Sequence, residues 1–173
     1  MRDHFVLTAA GHDSPGLVEN VTAVLLEFDG NVEASRMARL GGEFAMLMLV
    51  SAPSARMAPL REALADLEFE VYTRVAEAGQ APLETGFTPC GITVMGADHL
   101  GIVHEIAHYL AEHGVNVETM NTEVMAAPMS GSPLFTMTAV VAVPATLTID
   151  ELREAMERIA HDVGVEASVM AHR

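Results

Sequence analysis

Two kinds of segment in this 173-residue sequence carry side chains whose type and spacing could do chemistry. The first is a turn written twice. Gly11-His12-Asp13-Ser14-Pro15-Gly16-Leu17-Val18 returns 85 residues later as Gly96-Ala97-Asp98-His99-Leu100-Gly101-Ile102-Val103. Each copy runs from an apolar stretch into helical spacing and so reads as a strand-to-helix corner. A helix start offers unpaired backbone N–H groups and a partial positive charge, which suit a carboxylate. Gly16 and Leu17, or Gly101 and Ile102, would present those groups, with glycine allowing close approach. Asp13 or Asp98 would take an ammonium, and Ser14 stands in the same turn. Asn31 and Asn116, which open the next strand of each copy, would add an amide. Together these types read both ends of an amino acid. The plainer alternative makes each aspartate a helix N-cap, with Pro15 in a first-turn position, and each asparagine a turn residue.

The second segment is His104-Glu105-Ile106-Ala107-His108, an H-E-x-x-H of the zinc-hydrolase type. With Ile106 taken as the core direction, both histidines fall about 160° away, on the polar face of a 3.6-residue helix. Glu19 and Ala23 hold those positions in the first copy, and Gly114 stands where a third metal ligand would be wanted. The expectation is a solvated surface and no metal site, with His113 as a helix-end residue. No catalytic group is nominated. Every basic residue is arginine, which removes Schiff-base chemistry and the phosphate-loop lysine. Gly-x-Asp also replaces the Gly-x-Gly of dinucleotide sites, so no cofactor is expected.

The elements that must position these corners follow from the repeat. At a constant offset, Asn31-Val32-Glu33 falls on Asn116-Val117-Glu118; after a six-residue insertion, Phe44-Ala45-Met46 falls on Phe135-Thr136-Met137. The first copy reads as strand 4–10, a helix with Leu17, Val21, Val24, Leu25 and Phe28 at helical spacing, strands 31–40 and 43–52 around Gly41-Gly42, helix 59–67 and strand 69–75. The second reads as strand 90–96, helix 99–113, strands 116–125 and 134–143, helix 148–162 and strand 164–170. The order is β-α-β-β-α-β twice. Right-handed crossovers then favour an α+β fold of two ferredoxin-like units, each a four-stranded antiparallel sheet with two helices on one face. The expected organisation is a first unit over 1–76, a linker over 77–89 and a second unit over 90–173.

Composition bounds the partners. Half of the residues are apolar and 19% are charged, enough to bury a core. Acidic residues outnumber basic ones 24 to nine, for a formal charge of −15. That field opposes direct binding to nucleic acid or anionic membrane. Cys90 is the single cysteine and reads as a small buried residue, and the methionines read as core filler. No run near the start is long enough for a signal core or a membrane span, so a cytoplasmic chain is expected.

The stretch from Thr8 to Phe44, with its Gly-x-Asp-x-Pro-Gly-Leu-Val turn, its Gly-Asn-Val-Glu strand opening and its Ser-Arg-Met-Ala-x-Leu-Gly-x-Glu-Phe hairpin, resembles the glycine cleavage system transcriptional repressor family. The whole chain resembles a tandem pair of ACT domains. That resemblance implies a non-enzymatic regulator that binds a small amino acid, glycine or serine, at the seam between two domains. It also implies a protein partner such as a transcription activator, and a homodimer is expected. Two departures from the family stand out: Ser14 replaces its basic residue before the proline in the first corner, and His99-Leu100 replaces Ser14-Pro15 in the second, so the first corner is the better candidate site. The rival readings are a ligand-free dimerisation module and a zinc hydrolase using His104, Glu105 and His108.

Overall fold

The computed structural model describes residues 1–76, 86–126 and 131–171. The chain divides into two compact units, Met1–Gln80 and Ala81–Arg173. In the first, β1 (Arg2–His12), α1 (Leu17–Glu27), β2 (Asn31–Leu40), β3 (Glu43–Pro53), a short 3-10 turn (Ser54–Arg56), α2 (Met57–Ala65) and β4 (Glu70–Val75) follow in order. The second repeats them as β5 (Phe87–Ala97), α3 (Ile102–Glu112), β6 (Asn116–Ala126), β7 (Pro133–Pro144), α4 (Ile149–Asp162) and β8 (Val165–Ala171). The sheets are antiparallel with orders β2-β3-β1-β4 and β6-β7-β5-β8. Both are ferredoxin-like, as the crossover argument predicts.

The repeat extends to register. Gly11 faces Phe44 and Gly96 faces Phe135, while Ala9 faces Met46 and Val94 faces Met137. Both hairpins carry a bulge at the same place, between Val32 and Ala34 and between Val117 and Thr119. The first bulge residue, Glu33, accepts hydrogen bonds from Ser51 Oγ at 2.6 Å and Asn31 Nδ2 at 3.1 Å. Those bonds, Ser51's first, hold its carboxyl below the ordinary glutamate value.

Period-two burial on the central strands and four-residue burial on the helices close one core per unit. In the first, Phe5, Leu7 and Ala9 meet Met46, Met48 and Val50 under Val21, Leu25, Leu60 and Leu64. In the second, Cys90, Ile92 and Val94 meet Met137 and Val141 under Ile106, Leu110, Leu152 and Met156. Cys90 is buried, and burial raises its thiol pKa.

Several boundaries move. Strand β5 begins at Phe87, so residues 87–89, read as linker, pair with Pro144, Val143 and Ala142. The rest of that linker, 77–85, lies outside the described residues. Helix α2 starts at Met57, two residues before Pro59, whose missing N–H falls in the first turn where no partner exists. Both first helices begin later than their turns suggest, at Leu17 and Ile102, because Gly16 and Gly101 are the N-caps.

Candidate functional site

Each corner is built by a glycine in the left-handed region: φ is 101° at Gly16 and 99° at Gly101. An L side chain resists that conformation, which explains the residue type. A Cβ at either position would meet nothing within 4 Å, so the space over each glycine is open. No side chain caps α1 or α3. The N-cap reading of Asp13 and Asp98 is therefore wrong, because the chain turns into the helix three residues beyond each aspartate. The carbonyls of Gly16 and Gly101 accept the first helical bonds, from Asn20 and Glu105.

Asp13 is engaged elsewhere. Its N–H donates to Gly42 O at 2.9 Å, which ties the corner to the β2–β3 hairpin. Its carboxylate meets Arg39 Nε at 2.5 Å. The pair lies at the surface, Asp13 about one-third exposed and Arg39 about two-thirds. Sequence reasoning missed Arg39. Its signal was available: it lies two residues before the glycine pair that turns the hairpin back beside the corner. Asp13, Ser14, Gly16 and Leu17 line one hollow of about 270 Å³ together with Glu19 and Phe44. A second groove of about 350 Å³ runs from His12, Ser14 and Leu17 to Asp66 and Phe69 in the α2–β4 turn.

The asparagines are not brought to these corners within their own units. Asn31 pairs with Ser51 in the register of β3, whereas Asp13 follows His12, which pairs with Glu43. Eight residues of strand separate the two levels, about 27 Å. The cause is topological: the start of β2 lies level with the start of β1 across β3, and the corner lies at the end of β1. Asn31 instead lines a groove along α1 with Thr22, Leu26 and Val32. Asn116 stands likewise opposite Ala142, eight residues from the Leu134 that faces Ala97.

The second corner differs in its side chains. Asp98 N–H donates to Pro133 O at 3.2 Å. Val124 occupies the position of Arg39, by the same offset that aligns the turns. His99, in the place of Ser14, reaches the end of α4, with Nε2 against Val163 O and Nδ1 3.1 Å from Leu100 O. Gly11 and Gly96 serve packing: a Cβ at Gly96 would lie 2.7 Å from Val165 Cγ1, and one at Gly11 3.2 Å from Phe69 Cβ.

His104 and His108 lie on the exposed face of α3 with their rings stacked at 6.0 Å. His108 Nε2 is 3.5 Å from Glu112 Oε1. Among the described residues no three metal-ligating side chains are assembled. His113 is the C-cap of α3; its Nδ1 lies 2.9 Å from Tyr109 O and its ring stacks on Tyr109. Among the described residues, no helix is long and apolar enough to cross a membrane.

Comparison with known proteins shows the family and the fold. A protein of the UPF0237 group from Methanopyrus kandleri is 34% identical over 79 residues, 45% of this chain and 81% of its own. The glycine cleavage system transcriptional repressor of Escherichia coli is 44% identical over 48 residues, 28% of this chain and only 25% of the repressor. Among solved structures, an unknown protein from Galdieria sulphuraria superposes with a TM-score of 0.84 at 33% identity, over 100% of both chains. A structure assigned to the glycine cleavage system repressors superposes with a TM-score of 0.66 at 19% identity over 100% of this chain and 99% of its own, and shares the fold. The model of the ACT domain matches residues 3–75 and again 91–170, so the chain belongs to the ACT domain family and carries the domain twice.

Proposed function

We propose that this protein is a non-enzymatic regulator that responds to a small amino acid bound at the first unit's corner. The observation that carries this reading is the Asp13–Arg39 pair beside an uncapped helix start. A zwitterion inserted there keeps every charge opposed. Its α-ammonium takes Asp13, while its α-carboxylate takes Arg39 and the free N–H groups of the first turn of α1. A hollow of about 270 Å³ falls just below the range of drug-sized ligand sites, which suits a small metabolite. Glycine and serine are the first candidates, because a relative of this chain is named for glycine cleavage. The partner is a protein, such as a transcription activator: the charge of −15 opposes direct contact with nucleic acid. Ligand binding would favour one state of the chain, and the partner would prefer that state by the same coupling free energy.

The test is a thermal-unfolding panel of amino acids against the full chain. Ligand at about one hundred times Kd adds roughly 2.7 kcal/mol to stability. Glycine or serine should raise Tm, whereas N-acetylglycine and glycine methyl ester, each lacking one charge, should not. Asp13→Asn should abolish the rise while changing the apo protein by less than about 1 kcal/mol, the worth of an exposed ion pair. A flat panel would sink the proposal and favour a ligand-free interaction module.

A further inference from the structure

The second corner holds a feature that the first lacks. His99 presents both ring nitrogens to backbone carbonyls, Nδ1 to Leu100 and Nε2 to Val163. A carbonyl only accepts. Either neutral tautomer of histidine has a single N–H, so it satisfies one carbonyl and leaves a lone pair facing the other. Only the imidazolium donates to both. Val163 is the C-cap of α4, where unpaired carbonyls and the negative end of the helix dipole favour a cation.

We propose that His99 is a proton-operated clasp that closes the second unit's corner onto the C-terminal end of α4. In the first unit the equivalent space is the groove from His12 and Ser14 to the α2–β4 turn, which Ser14 is too short to bridge. Replacing that serine by histidine supplies the bridge. The ionisable side chains on the segments that meet at the clasp are Asp98 on its own turn, His104 and Glu105 in the first turn of α3, His161 and Asp162 in the last turn of α4, and Glu166 on β8. Of these, Asp98 reinforces the closed, protonated form. The two carbonyl contacts hold the His99 pKa above its ordinary 6.5, which supports the same direction. A histidine raised in this way stabilises the folded state fully below about 6.5 and loses that contribution as pH rises through its folded value. The clasp is therefore shut in mildly acidic solution and released in alkaline solution. The inference does not depend on whether the first corner takes an amino acid.

Imidazole ¹H–¹⁵N long-range correlation spectra of the full chain, titrated from about pH 5 to pH 9, read the clasp directly. His99 should carry protons on both nitrogens at the acid end and titrate above 6.5, and the Val163, Gly164 and Leu100 amides should move with the same midpoint. A titration at or below 6.5, or a neutral single tautomer throughout, overturns the proposal. His99→Gln supplies one donor and no charge. The stability difference between wild type and H99Q should shrink as pH rises through the His99 midpoint, and a difference that stays constant with pH also overturns it.

Discussion

Asp13 and Asp98 stand at the same point of the repeat, yet their neighbours give them different work. Asp13 faces Arg39 in an ion pair at the surface, the pair on which the proposed binding rests. Asp98 adjoins a histidine that reaches α4, and Val124 holds the position of Arg39. One-residue differences thus separate an open corner from a bridged one. The glycines of these segments are needed for different reasons, and that difference is measurable. Gly96→Ala places a methyl 2.7 Å from Val165 Cγ1 and 2.8 Å from its Cα, where backbone cannot give way. It should cost about 1–3 kcal/mol, as overpacking does. Gly16→Ala meets no atom within 4 Å but forces alanine to a φ of 101°, so it should cost on the order of 1–3 kcal/mol through backbone strain alone. Urea unfolding midpoints give both losses. Trimming Val165 to Ala in the Gly96→Ala background should recover little of the first loss, because the Cα and Cβ of residue 165 stay 2.8 Å from the added methyl.

At the scale of elements, the helix ends are satisfied by unlike devices. Helix α1 has no side-chain cap at its start, and its far end is held by Arg56, which donates to Glu27 O at 3.0 Å, and by Arg2, which donates to Asp29 O at 2.9 Å. Helix α4 has a full capping box: Glu151 N–H donates to Thr148 Oγ at 3.2 Å, and Thr148 N–H donates to Glu151 Oε2 at 2.9 Å. The backbone bond from Thr148 leads the causes that hold the Glu151 carboxyl below its ordinary value. Thr148→Ala should therefore destabilise the second unit by about 1 kcal/mol, seen as faster amide exchange in the first turn of α4. The start of α1, by contrast, has no comparable side-chain bond to lose. An end stabilised by its own side chains leaves fewer donors for a ligand, and the uncapped start of α1 lies beside the Asp13–Arg39 pair.

At the scale of the whole molecule, stability is divided between two hydrophobic clusters, one per unit, under a surface of strong net negative charge. A formal charge of −15 raises the free energy of any compact state through self-repulsion. Raising sodium chloride from about 10 mM to about 500 mM shortens the Debye length from roughly 30 Å to under 10 Å, so Tm should rise over that range, and a fall would contradict this account. The order of elements, their duplication and the register offset were legible in the sequence because strand alternation, helix spacing and glycine turns are local signals, and a repeat makes each test the other. The same locality limits what can be read. The spacing of Asn31 from Asp13 looks compact in the chain, but antiparallel pairing sends the two to opposite ends of a strand. Arg39 lies 26 residues after Asp13, and only the return of the hairpin brings its guanidinium to the corner. Nor does sequence tell that residue 99, 64 positions before Val163, can reach across to it. Local patterning thus determined two ferredoxin-like units and where their corners lie; which charges and carbonyls meet there was decided by tertiary structure, because a contact between distant residues depends on strand register and helix placement that no single segment encodes.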